Sequence, residues 1–320
     1  MAAELRLLAA LALCGATAAV AAPYAYVTNQ GSNDIAVVDL ATGKRVATLA
    51  AGRAPVGVVV MQQPRRVFVT NAESHDMTVI ERGASPAEDR VIAQVPAGVT
   101  PIGIDADESA GRIYVTDMER NRLLVFDAGS LAPVGEVEVG RGPGGVVVDP
   151  GRRRVYVAAR DDNAIAVIDL VTLRRVADIA VGEHPFGLAI DTAAGRLYSA
   201  NVHGDSISVV DLAQGRAVAE IAVGKAPYCL LVNASLRRIY VSNQHGDSIS
   251  VIDGESLRVL ATVATGGYPE GLSLRPDGRA FYAVNWMDET ISEHDGVMGM
   301  RLRSFAGGHN NRGFGRFVGD

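Results

Sequence analysis

Two histidines stand in nearly identical stretches of the sequence. His203 lies in NVHGDSISVVD (201–211) and His245 lies in NQHGDSISVID (243–253). Imidazole is a common zinc ligand, so the repetition could mark a shared metal site. It could equally mark a structural unit of constant length that carries each histidine in a turn. In a ring of such units the two imidazoles would lie about 10 Å apart, whereas zinc needs its ligands near ~2 Å. We therefore interpret both histidines as turn residues.

Other signatures of chemistry are absent from the sequence. It contains no Cys-x-x-Cys-His for covalent haem, no Gly-x-Ser-x-Gly, no EF-hand calcium loop and no Gly-rich phosphate loop. Carboxylates such as Asp161, Asp162, Glu183 and Glu270 could act as acids or bases, but no spacing distinguishes them. We expect no catalytic residue, no metal and no cofactor.

The repeated unit extends over most of the chain. Its spacing is constant, except for one longer step where RGASPAED (82–89) extends a loop. Each unit holds four short runs rich in Val, Ile and Tyr, separated by Gly, Asp and Asn. A β-solenoid would have shorter coils. The seven copies of the strongest string are YVTN (26–29), FVTN (68–71), YVTD (114–117), YVAA (156–159), YSAN (198–201), YVSN (240–243) and YAVN (282–285).

Four strands in each unit of about 42 residues predict a blade of a β-propeller. We expect an all-β, seven-bladed β-propeller with four antiparallel strands per blade. The first copy lacks the Pro-x-Gly segment that opens the other units, and NRGFGRFV (311–318) supplies it at the far end. The C-terminal strand should therefore complete the N-terminal blade and close the ring. Asn311 replaces the proline and Arg316 interrupts the apolar pattern, so we expect a register slip of two residues.

These seven strings resemble the YVTN-repeat β-propeller family, which includes YncE-like exported seven-bladed propellers. The resemblance covers the whole chain after residue 22. It implies export and the propeller fold, but the family has no common catalytic signature to transfer. More distant propellers with similar repeats hold haem, quinone or lactonase sites, so the fold alone does not assign a function.

The first 22 residues differ from the rest. Arg6 precedes an apolar run that ends in small residues, which is typical of a secretory signal peptide. The run is too short to favour a membrane anchor, and the bulky Leu13 before Cys14 disfavours lipidation. We expect a signal peptide over 1–22, a single propeller domain over 23–320 and a periplasmic or secreted protein. Cys229 would then be the only cysteine, which excludes an intramolecular disulfide.

Charge is distributed in a second repeating pattern. The net charge of −6 gives no reason to expect nucleic acid or an anionic membrane as a partner. Five arginines begin second strands, and each is followed, always at the same distance along the chain, by an acidic residue that ends a third strand. Antiparallel neighbours bring such positions together, so we expect five ion pairs rather than a cationic ring. The pairs are Arg66–Glu81, Arg112–Asp127, Arg154–Asp169, Arg196–Asp211 and Arg238–Asp253.

The loops that open each unit are where the units differ most. In a propeller these loops converge at the mouth of the central channel, so variable side chains there could recognise an asymmetric ligand. Unconstrained drift of loop sequences would look the same. The mixture of charged and aromatic residues suits a polar ligand with an apolar part. The candidate ligand-binding residues are Arg53, Arg141, Glu183, His184, Phe186, Lys225, Tyr228, Tyr268, Glu270 and Arg312.

The function favoured by these observations is an exported, non-catalytic module. It would bind an unidentified small ligand or a periplasmic protein, as a monomer. The alternative is an enzyme or accessory subunit that uses the same channel mouth, either lactonase-like or part of a quinone-linked alcohol oxidation.

Overall fold

Seven sheets are arranged around a central channel in the computed structural model, which describes residues 23–319. The predicted signal peptide, with Cys14, lies outside the described residues. Each blade has four antiparallel strands, and the C-terminal segment supplies the inner strand of the first blade and adds a short parallel strand to the second. This arrangement confirms the all-β, seven-bladed propeller. No helix within 23–319 is long and apolar enough to cross a membrane.

The strands follow the repeat closely. Every inner strand of blades two to seven begins at a proline, which belongs to Pro-x-Gly in all but blade six, where Cys229 replaces the glycine, and the second strands carry the YVTN-like strings. Short 3-10 helices occupy Pro86–Glu88, Arg160–Asp162 and Gln244–Gly246. Blade by blade, the strands are β1 (Tyr24–Asn29), β2 (Asp34–Asp39), β3 (Lys44–Ala50); β4 (Pro55–Met61), β5 (Arg66–Asn71), β6 (Asp76–Glu81), β7 (Arg90–Pro96); β8 (Pro101–Asp107), β9 (Arg112–Asp117), β10 (Arg122–Asp127), β11 (Pro133–Glu138); β12 (Pro143–Asp149), β13 (Arg154–Ala159), β14 (Ala164–Asp169), β15 (Arg174–Ala180); β16 (Pro185–Asp191), β17 (Arg196–Asn201), β18 (Ser206–Asp211), β19 (Arg216–Ala222); β20 (Pro227–Asn233), β21 (Arg238–Asn243), β22 (Ser248–Asp253), β23 (Val259–Ala264); β24 (Pro269–Leu274), β25 (Ala280–Asn285), β26 (Thr290–Asp295), β27 (Arg301–Ala306); and, at the C-terminus, β28 (Asn311–Arg312), β29 (Phe314–Arg316) and β30 (Val318–Gly319).

The C-terminal segment closes the ring by completing the first blade, as predicted. Both β28 and β30 pair antiparallel with β1. From Arg312 to Val318 the segment advances six residues while β1 advances three, from Thr28 to Ala25. The inner strands of regular blades have a single extra residue at this bulge, as between Pro185 and Leu188. The closing segment therefore has two more extra residues than a regular inner strand, which confirms the predicted register slip of two residues.

The closing segment does not run as the single strand that the sequence predicts. It pairs with the first blade in two short pieces, and β29 between them pairs parallel with β4 of the second blade. Gly315 has φ +123°, which favours glycine, and a Cβ there would lie 2.4 Å from the carbonyl oxygen of Val58. The detour buries Phe317 completely and lets Arg316 reach Asp105 at 2.9 Å. The C-terminus thus joins two blades rather than one.

Hydroxyl groups of the repeated string hold neighbouring blades together. Thr70 Oγ1 donates to the carbonyl oxygen of Ile102 at 2.8 Å, and Thr116 Oγ1 donates to that of Gly144 at the same distance. Both acceptors are the middle residue of Pro-x-Gly in the next blade. The threonines are fully buried, so each bond satisfies groups that water cannot reach.

The same carbonyl oxygens explain the glycine of Pro-x-Gly. A Cβ on Gly103 would lie 2.3 Å from the oxygen of Gly144, and one on Gly187 would lie 2.2 Å from that of Tyr228. At these two junctions the neighbouring inner strands approach too closely for a side chain, whereas blade six has Cys229 at the same position. Where a Thr or Ser donor is present, the carbonyl of the middle residue holds the preceding blade and the side chain of that residue takes no part in the bond.

Turn residues link each blade to the entry loop of the next. Asp205 and Asp247 have φ of 47° and 45°, so both adopt the left-handed conformation that aspartate tolerates in turns. Asp205 Oδ1 accepts from the amide of Ala226 at 2.9 Å, and Asp247 Oδ1 accepts from that of Tyr268 at 2.8 Å. Both bonds reach from the turn of one blade to the entry loop of the next. Asn201 does bond locally, through Ser206 and Ser208 at 3.0 Å.

Three of the five expected ion pairs form. Two predicted pairs are wrong: Arg66 donates to carbonyl oxygens at Ala128 and Gly129, and Arg196 donates to that of Gly254 at 2.7 Å. The turn of the next blade lies beside these guanidinium groups and offers a neutral acceptor. The pairs that form are Arg112–Asp127, Arg154–Asp169 at 2.6 Å and Arg238–Asp253 at 2.8 Å.

Candidate functional site

A depression of about 350 Å³ lies where the Pro-x-Gly loops converge on the channel axis. Four of the predicted residues line it: His184, Phe186, Tyr228 and Arg312. A fifth, Glu270, contacts this group from a buried position. The channel mouth is therefore a concave site of the size that small ligands occupy.

Aromatic rings close the floor of this depression. Phe186 and Tyr228 stack with their ring centroids 4.5 Å apart, and Phe314 packs against Phe186 at 5.1 Å. Phe186 and Phe314 are only 6 % exposed. Phe314 comes from β29, so the unexpected detour of the C-terminal segment supplies part of the floor. The rings divide the channel into an upper depression and a lower cavity.

One side of the depression is polar and charged. Arg312 Nη1 lies 3.2 Å from Oε2 of Glu270, and its Nε donates to Oε1 of Gln30 at 2.8 Å. Gln244 Nε2 donates to the other carboxylate oxygen of Glu270 at 2.8 Å. The Arg312 guanidinium also lies 5.9 Å from the centroid of the Trp286 ring. These residues belong to blades six, seven and one, which are adjacent in the ring.

Glu270 is the buried charge at the centre of this sector. Its side chain is 1 % exposed. Burial raises the pKa of Glu270 to about 7, although Arg312 and the hydrogen bond from Gln244 lower it. Burial, and next the charge of Glu270, raise the pKa of Tyr228 and of Cys229, which keeps both neutral. The sector therefore holds one carboxyl group that changes protonation near neutral pH.

Two polar atoms of this sector are buried without a hydrogen-bond partner in the described part of the chain. They are Oε2 of Glu270, which faces Arg312 outside hydrogen-bond geometry, and Nε1 of Trp286. Unpaired buried polar groups are rare in proteins and are often found at functional sites. This sector thus keeps one hydrogen-bond acceptor, on Glu270, and one donor, on Trp286, without partners among the described residues.

The next sector of the depression is apolar. Val56, Ala72, Ile102 and Met118, from blades two and three, line it. Arg160 lies at the edge of this sector, where Nε pairs with Asp161 at 2.9 Å. The depression is therefore amphipathic, with a guanidinium group beside an aliphatic wall.

Four predicted residues lie on the rim instead of in the depression. Arg141 pairs with Asp162 at 2.6 Å, and Lys225 pairs with Asp205 at 2.5 Å. Arg53 Nη2 donates to the carbonyl oxygen of Glu73 at 2.8 Å, and Glu183 is exposed. The position two residues before each proline is thus directed outwards. Residues nearer the strand, such as His184 and Phe186, line the depression instead.

Sequence reasoning missed a second ring of lining residues. Each follows the repeated YVTN-like string directly, so each recurs with the period of the blades and differs in type between them. That combination was the signal that could have identified the ring. Its members are Gln30, Ala72, Met118, Arg160, Val202, Gln244 and Trp286; all but Trp286 line the depression directly, and Trp286 lies beside it.

Both repeated histidines pack on entry-loop residues. His203 stacks on His184 with ring centroids 3.9 Å apart, and His245 packs on Tyr268 at 5.3 Å. His245 Nε2 also lies 3.1 Å from the hydroxyl of Tyr268. Burial, and next the neighbouring His203, lower the pKa of His184. Within 23–319 no group of three or more His, Cys, Asp or Glu side chains is placed to hold a metal ion.

Comparison with known proteins supports the architecture. No protein-family model matches the chain, and no curated protein sequence matches it either. A functionally unknown protein from Desulfotomaculum acetoxidans is 13% identical, with a TM-score of 0.78 over 91% of this chain and 97% of that one. A putative 6-phosphogluconolactonase from Bacteroides uniformis is 13% identical, with a TM-score of 0.75 over 89% and 96%. A dihydro-heme d1 dehydrogenase is 16% identical, with a TM-score of 0.68 over 90% and 74%. At these identities the similarity shows a propeller fold that is shared with enzymes and with proteins of unknown function.

Proposed function

We propose that this chain binds a small amphipathic anion in the depression at the channel mouth. The observation that carries the proposal is the asymmetry of the depression, in which Arg312 lies beside an aliphatic wall that includes Val56 and Ile102. A guanidinium group recognises a carboxylate through paired hydrogen bonds, and the aliphatic wall favours an apolar body on the same molecule. The ligand class is therefore a carboxylate with a small apolar substituent.

Binding rather than catalysis is favoured by how the charged groups are held. Glu270 is enclosed by Gln244 and Arg312, so its carboxylate has no direct access to a bound molecule. Arg312 is 21 % exposed and is the charged group of this sector that a ligand can reach. A carboxylate would share Arg312 with Glu270, and protonation of Glu270 would relieve the competition. The alternative of a lactonase-like or oxidation-linked enzyme stays a prediction.

Tryptophan fluorescence gives a direct test, because Trp286 is the single tryptophan of the chain. We would titrate the protein with phenylalkanoates of increasing chain length, and with phenethylammonium as a cationic analogue. Saturable quenching by the carboxylates and none by the cation is expected. Arg312→Gln should weaken carboxylate binding at least about tenfold, which corresponds to about 1.4 kcal/mol. Arg141→Gln, which removes a rim arginine paired with Asp162, is the matched control and should change affinity little.

Arg312 lies in the closing strand, so a second variant guards against loss of folding. Ile102→Phe narrows the apolar side of the depression, leaves Trp286 as the single tryptophan, and should also weaken carboxylate binding strongly. Equal effects of the Arg141 and Arg312 variants, preference for the cation, or no saturable quenching by any phenylalkanoate would overturn the proposal.

We also propose that the chain is an exported, monomeric member of the YVTN-repeat propellers. The support is the signal-like composition of 1–22 and the seven YVTN-like strings. Expression in a Gram-negative host followed by intact mass measurement tests export. A mass that lacks about the first 22 residues is expected in the periplasmic fraction, whereas full-length protein in the cytoplasm would exclude export.

A further inference from the structure

A second cavity lies on the other side of the aromatic floor. It has a volume of about 230 Å³ and is lined by residues near the C-terminal ends of the inner strands, such as Ile190 and Val232. The upper depression is lined by residues at the start of the same strands, such as Phe186 and Tyr228. Phe314 borders the lower cavity from above. The two spaces are therefore separate and open to opposite faces of the ring.

Most of the side chains that line this lower cavity are aliphatic. They include Val147, Leu188, Leu230 and Leu272, and glycines between them leave the space open. An apolar cavity of about 150 Å³ is enough to hold a benzene molecule. The lower cavity is larger, so a bicyclic aromatic or an aliphatic body of similar size would fill it.

Polar groups at this end are arranged to cancel each other's charge. Asp105 and Arg316 are the only charged side chains among the described residues that line the cavity, and Arg316 Nη2 lies 2.9 Å from Asp105 Oδ1. The other oxygen of Asp105 accepts from the amide of Val148 at 2.9 Å. Arg316 is still 51 % exposed, so its guanidinium has N–H groups to spare. The mouth is thus electrically neutral but rich in hydrogen-bond donors.

The inner strands also present backbone hydrogen-bonding groups to the channel. Strands β12, β16 and β20 are the edges of their blades, so half of their backbone N–H and C=O groups face the channel without a strand partner. A ligand that enters this space must therefore be apolar along the walls and offer an oxygen acceptor at one point.

From these features we infer that the lower cavity is a second binding site, for a small uncharged apolar molecule with one acceptor oxygen. A charged ligand would have to compete with a member of the Asp105–Arg316 pair or leave its own charge unpaired in a largely aliphatic space, which is unfavourable. A carbonyl or hydroxyl oxygen can accept from Arg316 without disturbing the pair. The inference does not depend on the proposed function of the upper depression.

The naphthyl ketone 2-acetylnaphthalene is a suitable probe, because it joins a bicyclic apolar body to one carbonyl oxygen. We would titrate the full chain by calorimetry with the ketone, with 2-ethylnaphthalene, and with the charged analogues 2-naphthoate and 2-naphthylmethylammonium. We expect saturable binding of the ketone, with both charged analogues at least about tenfold weaker. The hydrocarbon should bind at least about fivefold more weakly than the ketone because it lacks the acceptor oxygen.

Matched variants locate the probe. Val232→Phe fills the lower cavity and should abolish binding, and Val147→Phe fills it from another blade and guards against misfolding of the first variant. Ile102→Phe narrows the upper depression and should leave the ketone bound. The double variant Asp105→Asn with Arg316→Gln removes both charges, and it should reduce the preference for the ketone over the hydrocarbon.

Several outcomes would overturn the inference. They are loss of ketone binding in the Ile102 variant, unchanged binding in both folded cavity-filling variants, or equal affinity for the charged analogues. The proposed function is judged separately, because the quenching of Trp286 by phenylalkanoates should persist in the Val232 variant.

Discussion

Replacing the buried carboxyl group with an amide should stabilise this protein in a pH-dependent way. The pKa of Glu270 is about 7 in the folded chain against 4.5 for an unperturbed glutamate. Between these values the folded state keeps a proton that the unfolded state has released, so the free energy of unfolding falls as pH rises. At about 1.4 kcal/mol per pKa unit, the loss across this window is about 3 kcal/mol. Glu270→Gln removes the titration and can keep the hydrogen bond from Gln244.

The variant should therefore be more stable than the wild type by about 1–3 kcal/mol at pH 8, and equally stable near pH 4.5, where Glu270 is neutral in the folded state. Urea unfolding followed by circular dichroism at a series of pH values measures this difference. Glu183→Gln, an exposed glutamate on the same face, is the control and should match the wild type throughout. A Glu270 variant that is less stable than the wild type at pH 8, or that keeps the pH dependence of the wild type, would refute the reasoning.

Three further predictions concern the scaffold. Deleting 309–320 removes the strands that pair with β1 and β4, so we expect aggregation or a large fall in melting temperature, and an unchanged melt would contradict the closure. Thr116→Val should lower the free energy of unfolding by about 1–3 kcal/mol because the carbonyl of Gly144 loses its donor, whereas Thr192→Val, at an exposed site, should have little effect in the same denaturant assay. Double-mutant cycles should give a coupling of about 0.5 kcal/mol for Arg154 with Asp169 and none for Arg196 with Asp211, and coupling in the second cycle would show that the Arg196 contact is misassigned.

The architecture is predictable because each repeat carries its own pattern. Strand alternation, the proline that begins each inner strand and the constant spacing of the repeat all act within one blade or between neighbours. Ring closure is predictable for the same reason, since NRGFGRFV continues the spacing. The parallel pairing of β29 with β4 is not, because it depends on where Phe317 and Arg316 find partners in space.

The candidate site is predictable only in part. The variable position of Pro-x-Gly identifies Phe186, Tyr228, Glu270 and Arg312. A charged residue at a loop tip looks available from the sequence, yet the rim carboxylates of Asp162 and Asp205 engage Arg141 and Lys225. The division of the channel by the Phe314 ring cannot be inferred from spacing, because Phe314 arrives from the other end of the chain.

The Pro-x-Gly carbonyls have a consequence for how such a ring could be re-engineered. In each junction with a Thr or Ser donor, the backbone oxygen of the middle residue is committed to the scaffold, as in the contact between Thr116 and Gly144. The side chain of that residue takes no part in the hydrogen bond. The middle positions, together with the residues that follow the YVTN-like strings, can therefore be randomised as a combinatorial library, while the backbone hydrogen bonds maintain the spacing of the blades. The ligand specificity of such a ring could change while the arrangement of its blades stays the same.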